Sequence, residues 1–215
     1  MPGLRNDFMI KNVIFDFGGV FFEIDYRAPV REFKKLGFEN FEEIYSQAAQ
    51  SDLFDLVETG KISNEDFYKK IESYCPAGTT RQQVIDAWNS ILLFIDESKV
   101  DIAREVKSKG YPTFLLSNTN AIHVAEFERM IDDKIGLANF KSCFDKVYYS
   151  NEIGIKKPYP ETFLAVCQWN GLVPEETLFI DDSLQHVEGA KKAGLQAAHL
   201  KPGNSLRDII NQFIP

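Results

Sequence analysis

One short segment near the amino terminus most restricts the folds that this chain can adopt. Residues 13–15 (Val-Ile-Phe) form an apolar run of strand-forming types, and Asp16 follows directly, with a Gly-Gly pair at positions 18 and 19. An apolar run that ends in such a turn is typical of a buried parallel strand. Because ligands bind at the carboxyl ends of strands in an open α/β sheet, Asp16 is a candidate nucleophile or metal ligand. This motif alone is equally consistent with an aspartate that only begins a turn.

From residue 98 onward, helical and strand-like patterns alternate along the chain. The predicted helices cover residues 98–109, 120–132, 160–170, 186–193 and the segment from 205. The predicted strands are Thr113–Leu116, Lys146–Tyr149, Leu178–Ile180 and Gln196–His199. Alternation of this kind predicts an α/β fold with a doubly wound, mainly parallel, Rossmann-like sheet.

Residues 27–95 differ from the rest of the chain because only helical periodicity occurs there. Helices are predicted at 27–36, 41–50, 63–74 and 80–94, the third beginning at Ser63, and no strand is predicted. We therefore expect a Rossmann-like catalytic core made of residues 1–22 and 97–215. An all-helical cap, residues 23–96, is inserted after the first strand.

Composition excludes several function classes. The 24 Lys and Arg residues against 32 Asp and Glu residues give a net charge of −8, which argues against nucleic acid or an anionic membrane as a partner. No apolar run approaches the roughly 20 residues that span a bilayer. The amino terminus lacks a signal-like apolar segment, and the three cysteines have no metal-type spacing. We expect a cytoplasmic protein, either a monomer or a homodimer.

Polar residues follow the predicted strand at 113–116. Ser117 could bind an anionic oxygen, and backbone N–H groups at the start of the following helix, such as that of Asn118, could assist. A plain helix N-cap at this position is the alternative interpretation.

Two further stretches place charged residues in connections. Lys156 and Lys157 precede Pro158, so either lysine could neutralise phosphate or carboxylate charge, although a solvated basic pair is the simpler alternative. Asp181 and Asp182 end the apolar run at 178–180. Adjacent buried acids require a compensating cation, and Mg²⁺ prefers such oxygen ligands. The alternative is an acidic helix N-terminus.

Taken together, these four stretches resemble the haloacid dehalogenase superfamily, whose members are hydrolases with an aspartate nucleophile. Asp16 resembles the family's nucleophile, Ser117 its second motif, Lys157 its third, and the Asp181–Asp182 pair its fourth. The resemblance covers essentially the whole chain, including a helical cap after the first strand. The Asp-Phe-Gly-Gly-Val and Leu-Ser-Asn-Thr-Asn stretches are similar to those of sugar-phosphate phosphatases of the α-D-glucose-1-phosphate phosphatase type.

The resemblance implies a specific set of roles. Asp16 would attack phosphorus and form an aspartyl-phosphate that water hydrolyses. Mg²⁺ would be bound by Asp16, the carbonyl of Gly18 and Asp182, with Asp181 in a supporting position. Phosphoryl oxygens would bind to Ser117, the backbone N–H of Asn118 and Lys157.

The chain departs from the family pattern at two positions. Gly18 stands where most of these phosphatases carry an aspartate that acts as general acid and base. Glu23 or Asp25 could fold back over the site and substitute for it. His186 replaces the usual Asn or Asp, and it could hydrogen-bond a metal-bound water or Asp181, or else face solvent.

The predicted function is that of a Mg²⁺-dependent phosphatase for small phosphorylated metabolites, such as sugar phosphates. A metal-independent 2-haloacid dehalogenase and a catalytically degenerate binding or regulatory protein remain as alternatives. The segments 52–58 and 88–89 are candidates for substrate recognition by the cap. His123 and His199 are interpreted as structural or solvent-facing.

Overall fold

A five-stranded parallel sheet forms the centre of the molecule. The computed structural model describes residues 9–46 and 52–214. The strand order is β5-β4-β1-β6-β7, with every pairing parallel. The strands of this sheet are β1 (Asn12–Phe15), β4 (Thr113–Ser117), β5 (Lys146–Tyr149), β6 (Thr177–Asp181) and β7 (Gln196–His199). The predicted mainly parallel, doubly wound sheet is therefore confirmed.

Helices cover both faces of the sheet, which explains why its central strands read as continuous apolar runs. Val13 and Phe15 of β1 point into a core shared with α6, α7 and α12 (Glu97–Ser108, Ala121–Ile135 and Leu206–Phe213). Ile14 points to the other face and packs with α10 and α11 (Pro160–Asn170 and Leu184–Lys192). Two short helices, α8 (Leu137–Lys141) and α9 (Ser150–Ile153), flank β5. Across the described ranges, no helix has the length and apolarity to cross a bilayer.

A two-stranded antiparallel ribbon joins the sheet to a group of helices. The ribbon pairs β2 (Phe22–Ile24) with β3 (Leu92–Ile95), and the helices between these strands are called the cap below. They are α1 (Ala28–Lys35), α2 (Phe41–Ser46), α3 (Asp52–Glu58), α4 (Asn64–Glu72) and α5 (Arg81–Asn89). Their apolar faces, which include Phe41, Phe54 and Phe67, form a further core together with Ile122 of α7.

The helix caps explain where two of these helices begin. The Ser63 hydroxyl accepts a hydrogen bond from the backbone N–H of Asp66, which fixes the start of α4 as predicted. Thr80 and Gln83 form a reciprocal capping box at the start of α5. Helix α2 begins within the predicted segment at 41–50, whose last four residues lie outside the described ranges.

The ribbon corrects the prediction that residues 27–95 contain no strand. Helix α5 ends at Asn89, so the helix predicted for 80–94 is too long, and Leu92–Ile95 forms β3. The apolar run at 92–95 fits both helical and strand periodicity. It forms a strand because it pairs with β2, 70 residues earlier in the chain. Helix α3 was not predicted at all. Its seven residues are too few to give a clear helical period.

Gly189 controls how closely α11 approaches the loop that carries Lys157. A Cβ atom at position 189 would lie 2.0 Å from the carbonyl oxygen of Pro158 and 3.2 Å from the Phe163 ring. No side chain fits there without moving the helix or the loop.

We therefore expect Gly189→Ala to destabilise the protein, although alanine normally favours a helix by about 1 kcal/mol. Overpacking against Pro158 should lower the free energy of unfolding by about 1–3 kcal/mol. Urea denaturation of this variant measures the loss, with Lys192→Ala, at an exposed position of the same helix, as the control. A Gly189→Ala protein as stable as the control would contradict the close approach.

Candidate functional site

Residues from separate connections meet at the carboxyl edge of the parallel sheet. Asp16 follows β1, Ser117 ends β4, and Asp181 ends β6 with Asp182 after it. Lys157 reaches them from the loop after α9. A cavity of about 450 Å³, in the size range of small-molecule sites, lies between this edge and the cap.

The ammonium group of Lys157 lies between two buried carboxylates. Its Nζ donates to Asp16 Oδ1 and, at 2.8 Å, to Asp181 Oδ2. The lysine is 1% exposed, and Asp181 is fully buried. Since an unpaired charge at such a position would be strongly unfavourable, the three groups depend on one another.

The site holds more negative than positive charge. Burial, and then the charge of Asp181, raise the pKa of Asp16 to about 7, although Lys157 opposes the shift. Burial and Asp181 likewise raise the pKa of Asp182 to about 6. Burial alone would raise the pKa of Asp181, but Lys157 and His186 outweigh it and hold that pKa well below its usual value. Asp16 and Asp182 are therefore the two carboxylates whose negative charge is least compensated by neighbouring groups.

The loop around Lys157 is fixed by backbone hydrogen bonds. The Asn118 side chain accepts from the Lys157 N–H at 2.9 Å and donates to the Lys157 carbonyl at 2.9 Å. The Thr162 hydroxyl donates to the carbonyl of Lys156 at 2.7 Å. The predicted phosphate-binding residue Asn118 thus also positions the lysine through its side chain.

The two glycines after Asp16 leave room for other side chains. A Cβ at Gly19, which has a φ of +75°, would lie 2.2 Å from Asp182 Oδ2, so only glycine lets this carboxylate approach the turn. A Cβ at Gly18 would lie 3.0 Å from Ile24 Cδ1. An apolar side chain from β2 therefore occupies the space beside the position where the family aspartate would be.

The segment after Ser117 satisfies its own helix start. Ser117 is buried and lines the cavity. The Asn120 side chain caps α7 by accepting from the N–H groups of Ile122 and His123 at 3.1 Å each. The N-cap role therefore belongs to Asn120, and phosphate binding by Ser117 and Asn118 stays a prediction.

His186 hydrogen-bonds to Asp181, which was one of its two predicted environments. Its Nδ1 lies 3.0 Å from Asp181 Oδ2 and 3.2 Å from Oδ1. The backbone N–H of Ser183 donates to Asp181 Oδ1 at 2.7 Å. With Lys157, these donors hold the Asp181 carboxylate in one orientation.

Glu23 and Asp25 do not line the cavity. Glu23 receives a hydrogen bond from Lys99 Nζ at 2.5 Å, and Asp25 receives one from Arg31 at 2.6 Å. The expectation that either residue folds back over Asp16 is not what the structure shows. Ile24, the residue between them, lines the cavity instead.

The cap supplies the rest of the cavity wall. Phe54, Asp55 and Glu58 come from the predicted segment 52–58, and Trp88 comes from the segment 88–89. Sequence reasoning missed the two tyrosines of this wall, Tyr26 and Tyr45. Burial raises the pKa of Tyr45 to about 12, so its hydroxyl stays protonated. No motif signals these tyrosines, since only the packing of the cap brings them to the cavity.

His123 links the cap to the core as a neutral residue. Since Asn120 Oδ1 accepts backbone hydrogen bonds, its amide nitrogen donates to His123 Nδ1 at 3.0 Å. His123 Nε2–H then donates to the Trp88 carbonyl at 3.2 Å, and the two rings stack at 4.9 Å. Burial lowers the pKa of His123 to about 4. His199, whose Nε2 lies 2.9 Å from the Asp182 carbonyl, is also structural.

Comparison with known proteins agrees with this geometry. A model of the haloacid dehalogenase-like hydrolase family matches residues 10–194. The D-ribitol-5-phosphate phosphatase of Bacteroides thetaiotaomicron is 32% identical over 206 residues, which cover 96% of this chain and 99% of that protein.

Two solved structures share the fold over almost their whole length. A haloacid dehalogenase family enzyme from B. thetaiotaomicron, in complex with magnesium and inorganic phosphate, matches with a TM-score of 0.80 at 32% identity, covering 93% of this chain and 98% of that one. A hydrolase of the same family from Porphyromonas gingivalis matches with a TM-score of 0.84 at 33% identity, covering 96% and 99%.

The neutral state of His123 predicts an acid-sensitive contribution to stability. Its folded pKa, about 4, lies below the ordinary value of 6.5, so this contribution is complete above pH 6.5 and is lost as pH falls toward 4. The loss amounts to about 3 kcal/mol. Urea denaturation at pH 7 and pH 4 should show a smaller acid loss for His123→Gln than for the wild type. Equal losses in both proteins would contradict a buried neutral imidazole.

Proposed function

Because the chain belongs to the haloacid dehalogenase-like hydrolase family, we propose that it is a Mg²⁺-dependent phosphatase of small phosphomonoesters that uses Asp16 as nucleophile. The observation that carries this proposal is the Asp16 carboxylate, which Lys157 holds in the cavity between the sheet and the cap, with Asp182 beside it. Hydrolysis of a phosphomonoester through a covalent aspartyl-phosphate needs a carboxylate nucleophile together with cations that offset the substrate's charge.

The acidic residues fit a magnesium ion. Carboxylate oxygens of Asp16, Asp181 and Asp182 lie within 4.8 Å of one another. Three carboxylates and one ammonium leave two negative charges, which a divalent ion would balance. Mg²⁺ prefers one or two carboxylates with further oxygen ligands, and it would supply charge neutralisation for an anionic substrate.

Two of the acids are better placed than the third to hold this ion. Asp181 already accepts hydrogen bonds from Lys157, His186 and the Ser183 N–H. We therefore assign the metal to Asp16, Asp182 and the carbonyl of Gly18, with Asp181 as a supporting residue. The raised pKa values of Asp16 and Asp182 show that their ionised forms are unfavourable in this site. A bound divalent ion would stabilise both ionised carboxylates.

The remaining residues would hold the phosphoryl group. Ser117, the N–H of Asn118 and Lys157 are donors for the phosphoryl oxygens. The Asp16 oxygen forms a bond to phosphorus while the bond from phosphorus to the alcohol oxygen breaks, and the departing oxygen takes up a proton from water. Water then hydrolyses the acyl phosphate and releases inorganic phosphate.

The substrate is proposed to be a sugar or polyol phosphate. The name of the B. thetaiotaomicron relative, a D-ribitol-5-phosphate phosphatase, supports this class. The three acids disfavour the alternative of a 2-haloacid dehalogenase, because they would repel the carboxylate of a haloacid.

All three cysteines are free thiols, which supports a reducing, cytoplasmic location.

Asp16→Asn should lower phosphatase turnover by at least about 10³-fold, since an amide cannot attack phosphorus. Release of inorganic phosphate from p-nitrophenyl phosphate and D-ribitol 5-phosphate measures this loss. For the wild type, EDTA should abolish turnover and added Mg²⁺ should restore it.

Three results would contradict the proposal: persistent turnover by Asp16→Asn, turnover unaffected by EDTA, or chloride release from a 2-haloacid without phosphate release. Mg²⁺ binding measured by calorimetry gives an independent readout. It should weaken in Asp182→Asn and stay close to wild type in Lys192→Ala, whose substitution lies on the exposed side of α11.

Glu23→Gln and Asp25→Asn should retain turnover within about twofold of the wild type. The two carboxylates form hydrogen bonds with Lys99 and Arg31, respectively, away from the cavity. Steady-state kinetics with p-nitrophenyl phosphate tests each variant. A loss of the 10²-fold size expected of a general acid would restore these residues to the site.

A further inference from the structure

The cap wall of the cavity carries a mixed-charge cluster. Lys156 Nζ donates to the Asp55 carboxylate and, at 2.8 Å, to Glu58 Oε2. Asp55 and Glu58 lie three residues apart on α3, so they share one helix face. All three side chains line the same cavity as Asp16. Two consecutive lysines thus serve different walls, since Lys157 contacts the nucleophile and Lys156 contacts the cap.

The charges of this cluster do not cancel. Burial alone would lower the pKa of Lys156, but Glu58 and Asp55 outweigh it and hold that pKa above its usual value. The ammonium is therefore charged, and two carboxylates against one cation leave one negative charge. Among residues 9–46 and 52–214, the second oxygen of each carboxylate, Asp55 Oδ2 and Glu58 Oε1, has no hydrogen-bond partner.

Free carboxylate oxygens restrict what can bind there. An ionised carboxylate only accepts hydrogen bonds, so its ligand must donate them. Alcohol hydroxyl groups meet this requirement. A ligand carboxylate would be repelled by the excess negative charge.

The neighbouring aromatic residues suit the same kind of ligand. Tyr45, Phe54 and Trp88 line the cavity beside the cluster. Trp88 Nε1 is buried and has no hydrogen-bond partner in the described part of the chain. Apolar walls with a few fixed polar groups are typical of small-molecule sites.

We infer that Asp55 and Glu58 are specificity residues that accept hydrogen bonds from the hydroxyl groups of the substrate's alcohol part. The preferred substrate is then a polyhydroxylated phosphomonoester that carries no carboxylate. Lys156 orients the two acids and limits their repulsion of the phosphate. This inference rests on the proposed phosphatase function, to which it adds the residues that recognise the alcohol.

The test compares three substrates: D-ribitol 5-phosphate, phosphoglycolate and p-nitrophenyl phosphate. Asp55→Ala and Glu58→Ala should each lower kcat/KM for D-ribitol 5-phosphate about 10-fold or more, relative to the value for p-nitrophenyl phosphate. The loss should appear mainly in KM, because these contacts lie on the alcohol and not on the reacting phosphorus.

A second variant tests the charge separately. Asp55→Asn combined with Glu58→Gln leaves Lys156 uncompensated, so kcat/KM for phosphoglycolate should rise about 10-fold relative to p-nitrophenyl phosphate. Asp86→Ala is the matched control, because Asp86 is a cap carboxylate that hydrogen-bonds to Gln82 on its own helix and does not line the cavity. Its substrate ratios should stay at the wild-type values.

The outcomes separate this inference from the proposed function. If the wild type hydrolyses p-nitrophenyl phosphate but the cavity variants keep its substrate ratios, the specificity role is wrong and the phosphatase function stands. A wild type that prefers phosphoglycolate over D-ribitol 5-phosphate, or an Asp86→Ala control that shifts the ratios equally, also overturns the inference. Failure of the wild type to hydrolyse any of the three substrates overturns both.

Discussion

The rest of the structure depends on the burial of Lys157 between Asp16 and Asp181. Bringing these charges out of water is costly, and it is offset only where every group has a partner. The sheet supplies Asp16 and Asp181 from adjacent strands, β1 and β6, which fixes their spacing through the strand register. Asn118 fixes the backbone of Lys157. Gly189 lets α11 pack against Pro158, the residue after Lys157. The contacts that pack the strands, the loop and α11 together therefore also place the residues of the site.

The sequence predicted four strands of the sheet close to their observed bounds. Strands β5 and β7 have the predicted bounds, β4 is longer than predicted by one residue at its carboxyl end, and β6 is longer by one residue at each end. The central strands β1, β4 and β6 are buried at every position, so each is recognised from its own apolar run, whereas the edge strands β5 and β7 are only partly buried. The β2–β3 ribbon could not be found in the same way, because Leu93 and Phe94 are exposed and only pairing across 70 residues makes this segment a strand.

The same distinction applies to the site. Asp16, Ser117, Lys157 and Asp182 could be identified because they stand at strand ends, or in a loop with a recognisable motif, and the structure brings all four together. Glu23 and Asp25 were proposed from proximity in sequence alone. Lys99 and Arg31 hold these two carboxylates away from the cavity, and Ile24 lines it instead. Tyr26 and Tyr45 reach the cavity only through the packing of the cap, which no local pattern encodes.

Two different contacts hold the cap over the cavity. His123 joins Trp88 to the start of α7 through neutral, fully buried hydrogen bonds, whereas Lys156 joins α3 to the core through charges at the cavity wall. Salt screens partly exposed charges far more than buried neutral groups, so the two contacts respond differently to their surroundings. In the proposed complex the substrate hydroxyl groups bind the free oxygens of Asp55 and Glu58, so Lys156 can keep its contacts to α3 while the cavity is occupied.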